Sequence, residues 1–236
     1  MWYLPWTSDD GGRISFLPLE SFCSNDIIKS MDELAKQYVL SFYNRTLQMF
    51  GDRPEALRWT SGGQLLRYEA LLDIADSIHG KRILDFGCGK GDFCRFLKER
   101  DISVNYTGLD INEKLIGMAR ENNPEAVFRV FDIEQDSLDE GFDYIFVCGV
   151  FNLNVQGVEE LVRITLRKLF DLCGLGLAFN ALSSHCPEKD FELHYFSPEE
   201  LLSFAIENLS RSVSVRHDRI PYDFTLFVYR KPNPFS

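Results

Sequence analysis

The chain has 236 residues, 45% of them hydrophobic and 26% charged, with a formal net charge of −11. That is enough chain and enough apolar content for one sizeable domain with additions and a buried core. The acidity disfavours a nucleic-acid partner, since such partners call for a basic face. No apolar run approaches the ~20 residues of a membrane span.

Six cysteines, at 23, 88, 94, 148, 173 and 186, contain no C-x-x-C pair. Their spacing disfavours zinc and predicts reduced thiols in a cytoplasmic protein. The opening Met1–Asp10 segment lacks the basic region and apolar core of a signal peptide.

Residues 1–24 are broken by Pro5, Pro18 and the Gly11-Gly12 pair, and carry Trp2, Tyr3, Trp6, Phe16 and Phe22. They read as a frayed terminus or an aromatic lid. From Asn25 a helical pattern sets in, with Ile27, Ile28, Met31, Leu34, Tyr38 and Phe42 at three- and four-residue steps. It breaks before Gly51-Asp52-Arg53-Pro54. A second helix starts near Gly63, with Leu65, Tyr68, Leu71, Leu72 and Ile74 placed to pack on a sheet.

A buried strand, Arg82 to Phe86, follows. It runs into Gly87, Gly89 and Gly91 and then into a helix presenting Phe93, Phe96 and Leu97 on one face. Strand, glycine turn and helix in that order make a nucleotide-binding loop. Further strands read at Val104–Asp110, 126–131, Phe142–Val147 and Leu175–Ala181, with helices between them, one of them spanning Gln156–Leu172. This alternation predicts a parallel sheet covered on both faces. Ser197-Pro198-Glu199-Glu200 is a strong helix start, with a capping hydroxyl, proline in the first turn and acids at the positive helix end. Two last strands, Ser212–Arg219 and Asp223–Arg230, are joined by a link too short for a crossover and so form a hairpin.

A dinucleotide loop of the G-x-G-x-x-G type wants glycine or alanine at position 92, where this chain has Asp92. Instead, Asp85 precedes the first glycine by two positions, and Asp110 and Asp132 end the next two strands. In this Asp-x-Gly-x-Gly-x-Gly pattern with two later strand-end acids, the sequence resembles the class I S-adenosylmethionine-dependent methyltransferases. The resemblance covers roughly residues 55–230. It implies an α/β, doubly wound, seven-stranded and mostly parallel sheet of order 3-2-1-4-5-7-6 with an antiparallel last strand. Residues 1–79 would form an N-terminal extension and helical cap, and 80–236 the cofactor-binding domain.

The resemblance also implies S-adenosyl-L-methionine as cofactor. Asp110 suits the two ribose hydroxyls, Asp132 and the neighbouring Ile133 N–H suit adenine, and Ile111 with Leu109 could sandwich the ring. Asp85 and the backbone at Gly87, Cys88, Gly89 and Cys148 suit the cationic sulfonium end. By position in the family, Trp59, Gln64 and Arg67 join the cofactor set, with Arg67 fit to grip the carboxylate through two hydrogen bonds.

An oxygen or nitrogen acceptor can require a base. His185 and His194 lie between the fifth strand and the helix after Ser197 and are the candidates. Phe151, Asn152, Asn180 and Tyr195 are the acceptor-facing candidates. The Cys148-Gly149-Val150-Phe151 run lacks the Pro-Pro motif of amino-methylating DNA and protein-glutamine enzymes. The expectation is therefore methyl transfer to a small-molecule acceptor. The competing readings are a peptide methyltransferase and a cofactor-binding module without turnover. A nicotinamide-dependent reductase is disfavoured by Asp92.

Overall fold

The computed structural model describes residues 33–231. The terminal lid-or-tail segment and the first turns of the helix expected from Asn25 lie outside the described residues. The helix itself is present as α1 (Glu33–Phe50), followed by a 3-10 turn at Pro54–Leu57 and by α2 (Ser61–Leu72). Gly62 and Gly63 sit in the first turn of α2, which is closed by Thr60, whose hydroxyl accepts from the Gly63 N–H at 3.1 Å. A capped first turn tolerates glycines that would weaken a helix interior.

The glycine loop connects β1 (Arg82–Phe86) to α3 (Asp92–Glu99). Then come β2 (Asn105–Asp110), α4 (Glu113–Asn122), β3 (Val127–Val130), β4 (Phe142–Cys148), α5 (Val158–Leu172) and β5 (Cys173–Leu182). The chain ends in α6 (Pro198–Asn208), β6 (Ser212–Arg216) and β7 (Asp223–Tyr229). The seven strands form one sheet of order β3-β2-β1-β4-β5-β7-β6. β1 pairs in parallel with β2 and β4, whereas β7 runs antiparallel to both β5 and β6. The order expected from the family resemblance and the hairpin expected from the short link are both observed.

Two apolar layers hold the helices to the sheet. On one face Leu84, Val147 and Phe179 pack against Val162 and Leu166 of α5 and Phe204 of α6. On the other, Ile83, Phe146 and Ala178 pack against Leu71 of α2 and Phe93, Phe96 and Leu97 of α3. Each fully buried side chain of this size is worth about 2–3 kcal/mol. Among the described residues no helix is long and apolar enough to cross a membrane.

Phe42, Tyr68, Leu71 and Ile74 are buried as expected, but other expected positions face outward. Leu34 and Tyr38 of α1 are exposed, and the helix instead buries Ala35, Lys36, Phe42 and Thr46. In α2, Leu65 and Leu66 are exposed, while Gln64, Tyr68 and Leu71 form the buried line. These three lie four and three residues apart, one face of a helix. The polar Gln64 is accommodated there because Asp92 accepts from its Nε2 at 3.0 Å. Asp92, in place of a loop glycine, is a tie point. It also accepts from the fully buried Lys90 at 2.8 Å and from Arg95 at 2.5 Å.

Candidate cofactor and acceptor site

Strand order reverses at β1, whose neighbours β2 and β4 lead away to opposite halves of the sheet. Ligands in open α/β sheets bind beyond the strand ends at such a point. A cleft of about 1080 Å³, its open mouth included, lies there, roofed by α1 and lined by the ends of β1, β2, β3 and β4.

The loop glycines 87, 89 and 91 all have positive φ. At Gly87 a Cβ would meet Val150 Cγ2 at 2.3 Å, and at Gly149 a Cβ would meet the Trp59 ring at 2.4 Å. Both positions therefore leave bare backbone against the cleft with a side chain packed close behind. Asp110 is held from beneath: Oδ2 accepts from Gly89 N–H at 2.9 Å and Oδ1 from Asn112 N–H at 2.8 Å. Each oxygen keeps a second lone pair. Burial pushes the Asp110 carboxyl above its usual range, opposed by those two amides.

Of the residues expected around the cofactor, Trp59, Gly87, Gly89, Asp110, Ile111, Asp132, Ile133 and Cys148 line the cleft. Leu109 is fully buried and is not among the lining residues; Leu115 is.

Four cofactor candidates stand elsewhere. Gln64 is committed to Asp92, as above. Cys88 is buried behind the loop. Asp85 is 3% exposed and accepts from the Tyr106 hydroxyl; burial pushes its pKa up to about 7 although that hydroxyl pulls the other way. Arg67 pairs with Asp223 at 2.5 Å, donates to the Gly63 carbonyl at 3.0 Å and lies 4.5 Å over the Trp59 ring. It backs a wall of the cleft without lining it.

The acceptor candidates divide similarly. Phe151 lines the cleft. Asn180 is 1% exposed and donates to Asp223 and to the Phe224 carbonyl. The Tyr195 hydroxyl accepts from the Asp190 N–H at 3.0 Å. Asn152 Oδ1 is buried without a hydrogen-bond partner among the described residues. His185 is largely exposed and paired with Glu199 at 2.7 Å, and His194 is paired with Glu159 at 3.0 Å and packs on Phe196. Neither histidine lines the cleft.

Sequence reasoning missed what α1 contributes. Lys36, Val39, Leu40 and Tyr43 face the cleft. Their spacing is that of one helical face, a signal hidden by the stronger apolar stripe at Leu34 and Tyr38. Burial, with Asp110 nearby, pushes the Tyr43 hydroxyl up to about 12. Burial likewise raises the Cys148 thiol, against the pull of Arg67.

Comparison with known proteins adds to this geometry. A family described as a methyltransferase domain matches residues 83–169. A Mycobacterium tuberculosis protein assigned as a methyltransferase is 28% identical over 155 residues, covering 62% of this chain and 91% of its own length. The malonyl-[acyl-carrier protein] O-methyltransferase of Serratia marcescens is 34% identical over 138 residues, 57% of this chain. The chain spans 51% of the length of that relative. In fold, the chain is similar to the magnesium protoporphyrin IX methyltransferase of Synechocystis with bound S-adenosylmethionine. The TM-score is 0.59 at 17% identity, over 86% of this chain and 99% of that one. Residues 83–169 thus match a methyltransferase domain, and the fold is that of S-adenosylmethionine-dependent methyltransferases.

Proposed function

We propose that the enzyme methylates an oxygen or nitrogen atom of a small-molecule acceptor with an apolar body. The observation carrying this reading is the composition of the cleft wall. Beyond Cys148 it is built from Val150, Phe151, Leu153 and Val155, facing Leu57 and Trp59 from the cap side. Such a wall takes up an apolar body and excludes water from the reacting atoms. That the Serratia relative is an O-methyltransferase supports an oxygen acceptor.

The residues present fit the cofactor. Asp110 offers two adjacent acceptor lone pairs to the ribose hydroxyls. Ile111, Leu115 and Ile133 supply apolar walls for adenine, with Asp132 at its edge. Bare backbone at Gly87, Gly89, Cys148 and Gly149 receives the methionine end. When bound, S-adenosylmethionine supplies a methyl group already activated on a sulfonium. The protein then chiefly orients and desolvates: Trp59, held between Arg67 and the Gly149 backbone, fixes one wall, and Phe151 the other.

The test is turnover of the labelled methyl donor on two metabolite panels, one of phenols, carboxylic acids and amines with apolar bodies, the other of peptides. Transfer confined to the peptides would overturn the acceptor class. The histidines give a second expectation. His185→Ala and His194→Ala each hold kcat within about threefold, as substitutions outside a reacting site do. Loss of a general base costs roughly 10²–10⁴-fold, so a drop of that size in either variant would return it to the reaction.

A further inference from the structure

Among the described residues two lysines are buried: Lys36, which reaches Asp132 Oδ2 at 2.6 Å, and Lys90. The Gly87-x-Gly89-x-Gly91 spacing leaves position 90 open, and the chain places its most deeply buried cation there. An ammonium has three N–H donors and no acceptor, so its burial requires a partner for each. The Asp52 carbonyl accepts from Lys90 Nζ at 3.1 Å, the Asp52 carboxylate lies at 3.0 Å, and Asp92 accepts at 2.8 Å. Two of these contacts therefore go to the cap, at the turn that leaves α1, and the third goes to the first turn of α3. Arg95 lies 3.5 Å from the other Asp52 oxygen, so two acids and two cations balance in one cluster.

The same turn leads into Leu57 and Trp59, both of which line the cleft. A Cβ on Gly89 would meet Leu57 Cδ1 at 3.0 Å, so that leucine lies directly on the glycine loop, while Trp59 lies against Gly149. One buried joint thus fixes the loop backbone and the cap side of the acceptor wall together. We propose that Lys90 is a positioning residue, which holds the cap turn on the glycine loop so that the seated cap sets the loop's grip on the methionine end of the cofactor. The inference rests on that end lying against the loop, as proposed above.

The test reads, by calorimetry on the full chain, the ratio of affinities for S-adenosylhomocysteine and 5′-methylthioadenosine, which lacks the amino-acid end. Asp52 is the place to cut, because its side chain is half exposed and Lys90 then keeps Asp92 and the backbone carbonyl at 52. In Asp52→Ala the ratio should fall about 5- to 20-fold, the size of an ordinary coupling between sites. The loss should fall on S-adenosylhomocysteine, with methylthioadenosine held within about threefold. Asp52→Asn keeps an acceptor for the ammonium and should retain more of the ratio than Asp52→Ala. Lys90→Met should lower the ratio at least as far as Asp52→Ala, and the two together should lose little beyond Lys90→Met, since both cut one joint. An unchanged ratio in Asp52→Ala would overturn the inference, as would equal weakening of both ligands, the reverse order of the two Asp52 variants or additive losses in the double variant. If circular dichroism shows Lys90→Met unfolded, the two Asp52 variants decide alone. A wild type that binds neither compound would instead overturn the placement of the cofactor in this cleft.

Discussion

Asp110→Ala should lower affinity for S-adenosylhomocysteine by about 10²–10⁴-fold. Two hydrogen bonds from ribose hydroxyls to a carboxylate are worth roughly 1.5–3 kcal/mol each, and each 1.4 kcal/mol is tenfold in affinity. The carboxylate is also the acceptor for Gly89 N–H at 2.9 Å and Asn112 N–H at 2.8 Å, so its removal loosens the glycine loop itself. A cycle against the 2′-deoxy cofactor product separates the two contributions. The wild type should bind the deoxy compound about 10- to 100-fold more weakly, while the variant should barely distinguish the two ligands. If Asp110→Ala discriminates between them as strongly as the wild type, the aspartate only shapes the loop and the ribose contact lies elsewhere.

The sheet and the loop were legible because both are written in local pattern. β1 occupies Arg82–Phe86 as expected, and the link after β6 admits only the antiparallel return that β7 makes against it. That Asp110 and Asp132 line the cleft was legible because both follow the carboxyl ends of strands in the half-sheet beside it. What departed was the face of α1 at Leu34 and Tyr38 and one position of α2, Leu65. In α2, Leu65 was expected to pack on the sheet and Gln64 to reach the cofactor, yet Leu65 is 42% exposed and Gln64 6%. The cause is a partner far away in sequence: Asp92 lies on another helix, and its carboxylate accepts from Gln64 and makes the buried amide tolerable. Long polar side chains such as Arg67 and Lys36 have the same difficulty. Position in the chain says which helix they ride, but the acid they reach is set by tertiary structure. The histidines at 185 and 194 were near the cleft in chain order and still outside its wall, because Glu199 and Glu159 hold them.

Arg67 carries the other large expectation, because its two readings separate cleanly. The guanidinium is paired with Asp223, whose side chain is 1% exposed, and Asn180 donates to the same carboxylate. Removing one partner of a buried ion pair leaves an uncompensated charge, at a cost of about 3–5 kcal/mol. Arg67→Met should therefore lower unfolding stability by about 3 kcal/mol at neutral pH, read from urea denaturation. Adding Asp223→Asn should restore much of the loss, since the orphaned charge is then gone. The pH dependence has a definite sign. Burial already raises the Asp223 carboxyl above its ordinary 3.8, against the pull of Arg67. Without the arginine it rises further, so the native state binds a proton more tightly than the unfolded chain. That penalty is absent below the unfolded value and grows as pH rises through it. The deficit of Arg67→Met should accordingly shrink when unfolding is measured near pH 4. The cofactor side is decided by a ligand that lacks the amino-acid end. If Arg67 serves Asp223 and Trp59, the ratio of affinities for S-adenosylhomocysteine and 5′-methylthioadenosine is unchanged in Arg67→Met. A collapse of that ratio would mean that the guanidinium leaves Asp223 to grip the carboxylate when the cofactor binds. The ion pair would then be the resting partner of a binding residue.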